Sequence, residues 1–226
     1  MSTTTPPEPL SRMRRAIVKT MTASAAIPQF AVEMTLDAGA LIEARARVVG
    51  DPRPSYSDAI VASVAAALCD HPSLNASLSD EGIVRHDDVN VAIAVAIPDG
   101  LVSPAIEHAD RLSLPELATE RIRLTESAHA GTLTPRELLS ATFTVSNLGP
   151  LGVRRFNALV IPPQVAILAI GSLEDNEIAL TLSVDHRVVD GAPAALFLGQ
   201  IRAQLENPGW LAERFFGDGR GARSRS

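Results

Sequence analysis

The sequence predicts an α+β two-layer sandwich built on one mixed β-sheet, and three features of the 226 residues lead there. Runs with the two-residue period of a half-buried strand mix with runs at the spacing of amphipathic helices, without the strict alternation of a purely parallel α/β fold. The last two strand-like runs are separated only by Ser172 to Glu177, short enough for a hairpin and hence an antiparallel pair. Finally, 46% hydrophobic residues are enough for one large core. We expect one domain over residues 10–212, a disordered polar, Pro-rich leader at 1–9, and a disordered Gly- and Arg-rich tail at 213–226.

Leu10, Met13, Ile17 and Met21 recur at helical spacing and predict a helix from Leu10 to about Ala25, broken by Ile27-Pro28. Phe30, Val32, Met34 and Leu36 alternate as a strand, after which Asp37 is placed to cap a helix through Leu41, Ala44 and Val48. Asp51 to Pro54 is a loop, and Ser57 is the expected cap of a helix ending near His71-Pro72. Val89 to Ile97 reads as one long central strand, Pro98-Asp99-Gly100 as a turn, and Leu101 to Ile106, with Pro104, as an edge strand.

Ser113 and Glu116 have capping-box spacing for a helix to Ala130, closed by Gly131, and Thr134 with Glu137 repeats the signal for a short one. Thr142 to Val145 is a strand ending in the turn chemistry of Ser146 to Pro150, and Val165 to Ile170 is an apolar strand closed by Gly171. Ile178 to Asp185 alternates as a strand. Ala192 to Leu205 reads as the last helix, stopped by Asn207-Pro208-Gly209.

Charge and composition narrow the function. A net charge of −6 with scattered basic residues does not make a nucleic-acid footprint. Cys69 is the only cysteine, so neither a disulfide framework nor a cysteine metal site is expected, and the other histidines show no metal-like spacing. With no apolar run of membrane length and no apolar signal segment, a cytoplasmic location is expected.

One stretch carries chemistry. His186 has the parity of Ile178, Leu180, Leu182 and Val184, so the alternation aims its imidazole inward at a strand's end, and Asp190 follows four residues later before Gly191. A histidine there suits acid-base work, and His-x-x-x-Asp-Gly matches a motif of acyltransferases that deprotonate an acceptor. The alternatives are a satisfied core histidine and an aspartate that only caps the following helix.

Ordered motifs along Leu10 to Leu211 then identify a resemblance. They are Ser11 to Ile17, Ile27-Pro28-Gln29-Phe30, His71 to Ser77, Val89 to Ala96, Pro98 to Val102, Thr142 to Gly149 and Asp185 to Ala192. The chain resembles the catalytic domain of dihydrolipoyl acyltransferases of 2-oxo acid dehydrogenase complexes, which share the chloramphenicol acetyltransferase-like fold.

The resemblance implies a homotrimer with active sites between subunits, coenzyme A as acyl acceptor and an acyl-dihydrolipoyl donor. It makes His186 the general base, Ser146 the hydroxyl donor to the oxyanion, and Asp190 a buttress paired with Arg14. Arg187 is then a structural ion-pair residue, while Asn147, Gly149, Asp99 and Gly100 lie where coenzyme A contacts are expected. No metal is called for.

Lys19, the sole lysine, sits in a helical run rather than at a hairpin tip, so the lipoyl group is expected on a partner domain acting in trans, with other complex components as possible partners. Two alternatives stay open: an acetyltransferase using a small hydroxyl or amine acceptor, and a noncatalytic scaffold of a dehydrogenase complex. A Ser, His, Asp nucleophilic triad ranks lower, because coenzyme A brings its own thiol.

The sequence departs from the family pattern in the short 172–177 connection, in Gln29 where many members have His, and in a charged tail after Trp210, Leu211, Phe215 and Phe216. That tail argues against cubic assembly.

Overall fold

The computed structural model describes residues 8–217. Most of the tail and residues 1–7 of the leader lie outside them. The chain folds as α1 Arg12–Ala25, β1 Gln29–Asp37, α2 Gly39–Ala46, α3 Tyr56–Asp70, β2 Ala76–Ser79 and β3 Gly82–Arg85. There follow β4 Val91–Ile93, β5 Val95–Ile97, β6 Gly100–Val102, β7 Ala105–Ile106, α4 Leu114–Ala130, α5 Pro135–Leu139 and β8 Phe143–Asn147. The chain ends with β9 Ala166–Glu174, β10 Glu177–Asp185, α6 Gly191–Leu205 and α7 Pro208–Phe216.

Six strands form one mixed sheet in the order β1-β10-β9-β8-β4-β7. Strands β8 and β9 run parallel, as do β4 and β8, while β1, β10 and β9 pair antiparallel. On one face, Leu180, Leu182 and Val184 join α3 and α6 in a core holding Phe143 and Phe197, both fully buried. Helix α3 is apolar from Ala59 to Leu68 apart from Ser63, and Asp58 through Leu68 are buried except Ala66. It therefore works as the central helix of the layer.

The second face is also covered. Ile167 packs there with Ile27 and Val160, and Ser24 Oγ donates to the Val160 carbonyl at 2.6 Å. Gln29 completes the tie, donating to the Ser24 carbonyl at 2.8 Å and accepting from the Val160 amide at 2.9 Å. Gln29 thus fastens the end of α1 to the chain crossing the sheet.

Several elements differ from the sequence expectation. The long Val89–Ile97 strand is two: β4 pairs with β7 and β8, whereas β5 turns away to pair with β6. The edge strand expected at 101–106 divides likewise into β6 and β7. Ser55, not Ser57, caps α3, because Asp58 stands three residues on and returns the hydrogen bond.

Gly171 does not end β9, which runs to Glu174. The connection to β10 is only Asp175-Asn176, both at positive φ (52° and 64°), as a two-residue type I′ hairpin requires. Asn207-Pro208 both stops α6 and starts α7, with Asn207 Oδ1 accepting from the Gly209 and Trp210 amides. Residues 213–216, expected in the tail, belong to that helix.

Candidate active site

His186 stands one residue past the end of β10 and is not inward: its side chain is 53% exposed. The strand parity fails there because the chain turns. Asp185, 1% exposed, accepts at Oδ1 from the Arg187 amide and Nε, both at 2.9 Å, and at Oδ2 from Nη2 at 2.7 Å. The Val188 and Val189 amides close back on the Asp185 carbonyl, so residues 186–188 leave the ladder as a turn.

The His186 amide donates to the Pro28 carbonyl at 2.9 Å, and the Phe30 ring lies 4.5 Å away, tilted by 48°. Asp190 Oδ1 is 3.6 Å from His186 Nδ1, an approach of charge rather than a good hydrogen bond. Asp190 is also the N-cap residue of α6, although its side chain caps no amide.

Ser146 lies half-buried near the end of β8, in strand rather than turn conformation. Its register runs through Ala169 and Thr181 to Glu33, while Asp185 pairs with Gln29. Two strand spacings and five residues of rise put Ser146 and His186 on the order of 15–20 Å apart in one chain. A nucleophilic triad within one chain is therefore excluded by geometry.

Asn147 is engaged at both ends of its amide, its Nδ2 donating to Ser57 Oγ at 2.8 Å and its Oδ1 accepting from the Gly149 amide at 2.8 Å. Both residues line a cleft of about 590 Å³ between the start of α3 and residues 170–174 of β9. Gly149 is required there, since a Cβ would come within 2.5 Å of the Gly171 carbonyl oxygen.

One expected placement needs correction. Within a single chain Arg14 does not pair with Asp190. It is exposed one position from Met13, which faces the β5–β6 hairpin together with Ile17, so the helix turns Arg14 to solvent. Pro98 and Asp99 form the tip of that hairpin, with Asp99 exposed, while Gly100 opens β6 against α1, where a Cβ would meet Ile17 at 2.7 Å.

Arg187 is an ion-pair residue as expected, its hydrogen bonds to Asp185 raising its pKa further above the ordinary guanidinium value. Sequence reasoning missed Asp185, Pro28 and Phe30; the signal available was an acid and a base flanking the histidine at i−1 and i+1. Among the described residues no three His, Cys, Asp or Glu side chains gather as a metal site would need. No described helix is long and apolar enough to cross a membrane.

The mixed sheet with its covering helices has the chloramphenicol acetyltransferase-like fold. A solved chloramphenicol acetyltransferase superposes at a TM-score of 0.53 with 14% identity, covering 82% of this chain and 92% of its own. Within that class, the family model "2-oxoacid dehydrogenases acyltransferase (catalytic domain)" matches residues 3–212, and the chain belongs to that family.

The dihydrolipoyllysine-residue acetyltransferase component of the pyruvate dehydrogenase complex from Rickettsia bellii is 35% identical over 219 residues, 88% of this chain and 52% of that protein. The chain thus spans about half the length of the curated relatives it matches. The solved dihydrolipoamide acetyltransferase of Azotobacter vinelandii aligns at a TM-score of 0.83 and 28% identity, covering 92% of this chain and 94% of its own. In that enzyme a serine, a histidine and an asparagine four residues beyond the histidine have been investigated for their role in catalysis.

Proposed function

We propose that this domain moves an acyl group between a dihydrolipoyl thioester and coenzyme A, at a site completed only when copies of the chain assemble. The observation that carries it is the separation of His186 from Ser146. One chain holds a base at one end of the sheet and a hydroxyl donor at the other, so the base of one copy serves the serine of its neighbour. A homotrimer, the arrangement the family resemblance implies, satisfies this. Asp190 stands four residues after His186, the same spacing as the histidine and asparagine named for the Azotobacter enzyme. The lipoyl group would arrive on a separate lipoyl-bearing domain of a 2-oxo acid dehydrogenase complex in the cytoplasm.

The chemistry is then a thiol-to-thioester exchange. His186 takes the proton of the attacking thiol as its sulfur adds to the thioester carbonyl, and the Ser146 hydroxyl donates to the oxyanion that forms. Collapse breaks the other carbon–sulfur bond, and the imidazolium returns its proton to the departing sulfur. A thiol near pKa 8.5 and an imidazole near 6.5 differ by about two units, a gap of about 2.7 kcal/mol that is small beside the whole barrier. A positioned base of this kind contributes roughly 100- to 10,000-fold.

The test is an assay of the purified chain with free dihydrolipoamide against a panel of acyl-coenzyme A thioesters. Transfer to the thiol with wild-type protein, and a fall of roughly 100-fold or more for His186→Ala at unchanged melting temperature, is the expected result. Activity only with a hydroxyl or amine acceptor would overturn the lipoyl reading, and full activity in His186→Ala would overturn the base.

A further inference from the structure

Asp185 is a buried carboxylate to which the exchange reaction gives no task. It sits immediately before the proposed base, and its partner Arg187 immediately after it. The pair closes a ring around His186: three hydrogen bonds of 2.7–2.9 Å from Arg187 to one carboxylate, two of them from the guanidinium and one from the backbone. The opposite side of His186 is held by the Pro28 carbonyl and the Phe30 ring.

The imidazole itself makes no hydrogen bond among the described residues, with Asp190 at 3.6 Å. Its aim is therefore set by the backbone on either side together with the Phe30 ring, not by a hydrogen bond of its own. Guanidinium and carboxylate match as two planar forks, so this contact fixes direction as well as distance, which an ammonium cannot do.

We propose that Asp185 and Arg187 are positioning residues for acyl transfer, a clamp that aims the His186 imidazole across the subunit boundary. The proposal rests on the reading of His186 as base. Because a reacting group displaced by about 1 Å can cost roughly 100-fold in rate, loosening the clamp should lower kcat and leave substrate binding alone. A pair serving only the fold would show its loss in the melt, and would not separate kcat from KM.

The experiment is steady-state kinetics of the full chain carrying Arg187→Lys, Arg187→Ala and Asp185→Asn, with dihydrolipoamide and acetyl-coenzyme A. For Arg187→Lys, which keeps the charge and removes the fork, kcat should fall roughly 10- to 100-fold with both KM values unchanged and an unaltered circular dichroism melt. Guanidinium chloride should restore part of the Arg187→Ala rate where the same concentration of sodium chloride does not, since the Arg187 side chain is 47% exposed and its place can be refilled.

Wild-type kcat in Arg187→Lys, a loss confined to KM, or a rate loss that tracks unfolding would each overturn the clamp. Should Arg187→Ala or Asp185→Asn fail to fold, Arg187→Lys alone decides. An active His186→Ala would remove the base and the clamp together. An inactive His186→Ala beside a fully active Arg187→Lys would remove the clamp only.

Discussion

In the proposed reaction the Ser146 hydroxyl acts on charge that appears as the thioester carbonyl becomes tetrahedral, so its worth should be concentrated in the transition state. Ser146→Ala is expected to lower kcat by roughly 100- to 1,000-fold with little change in either KM. Initial-rate kinetics check this, and a trapped acyl-serine with ping-pong behaviour would instead make Ser146 a nucleophile. His186 and Asp190 could be singled out from the chain because their spacing is local. Arg14 could not be placed from the chain, because which way a helical residue points depends on what the opposite face of α1 meets, here the β5–β6 hairpin. The inward aim expected for His186 failed for a comparable reason: alternation describes a strand, and Asp185 with Arg187 ends the strand one residue earlier.

Among the elements, the chain crossing at Gly171 is the tightest contact with a single-residue test. A Cβ there would fall 1.9 Å from the Arg154 carbonyl oxygen, and no flexible side chain end is available to yield. Gly171→Ala should cost about 1–3 kcal/mol, seen as a melting temperature lowered by roughly 2–12 °C; an unchanged melt would show that the crossing relaxes freely.

The capped helices give a pH dependence. Glu116 is held below the ordinary carboxylate value of 4.5 by the Ser113 hydroxyl and amide, and Glu137 by the Thr134 amide and then Arg123. Such groups stabilise the fold above the unfolded value, and that contribution is lost as pH falls below 4.5 through their lowered folded values. The urea midpoint should drop in that window, and less steeply in Glu137→Gln; an identical acid limb in the variant would rule this out. These caps were legible because Ser-x-x-Glu and Thr-x-x-Glu act within one turn. The break between β4 and β5 was not, since Val91, Ile93, Val95 and Ile97 keep one alternation while their backbones change partners from β8 to β6.

For the molecule as a whole, the structure bears on how far assembly goes. Much of the apolar face of α7 that could dock into another assembly is already used at home: Leu211 and Phe215 are buried and the Arg214 guanidinium lies 5.2 Å over the Trp210 ring, while Phe216 stays 44% exposed with the Arg47 guanidinium 4.9 Å over it. We expect a trimer that stops there, because growth needs a second self-complementary contact. Light scattering across protein concentrations decides it, a monomer defeating the shared site and a cubic particle defeating the reading of α7.

The sheet order also dictates when the protein can fold. Strand β1 has β10 as its neighbour in the sheet, with Asp37 opposite Glu177 and Gln29 opposite Asp185. On a ribosome adding about 5–20 residues per second, the first strand waits on the order of ten seconds for its ladder partner. Throughout that wait its backbone is a bare template for any other strand nearby. A nascent chain stalled before Glu177 leaves it orphaned, so the last strand to be synthesised decides whether the first gains its ladder partner.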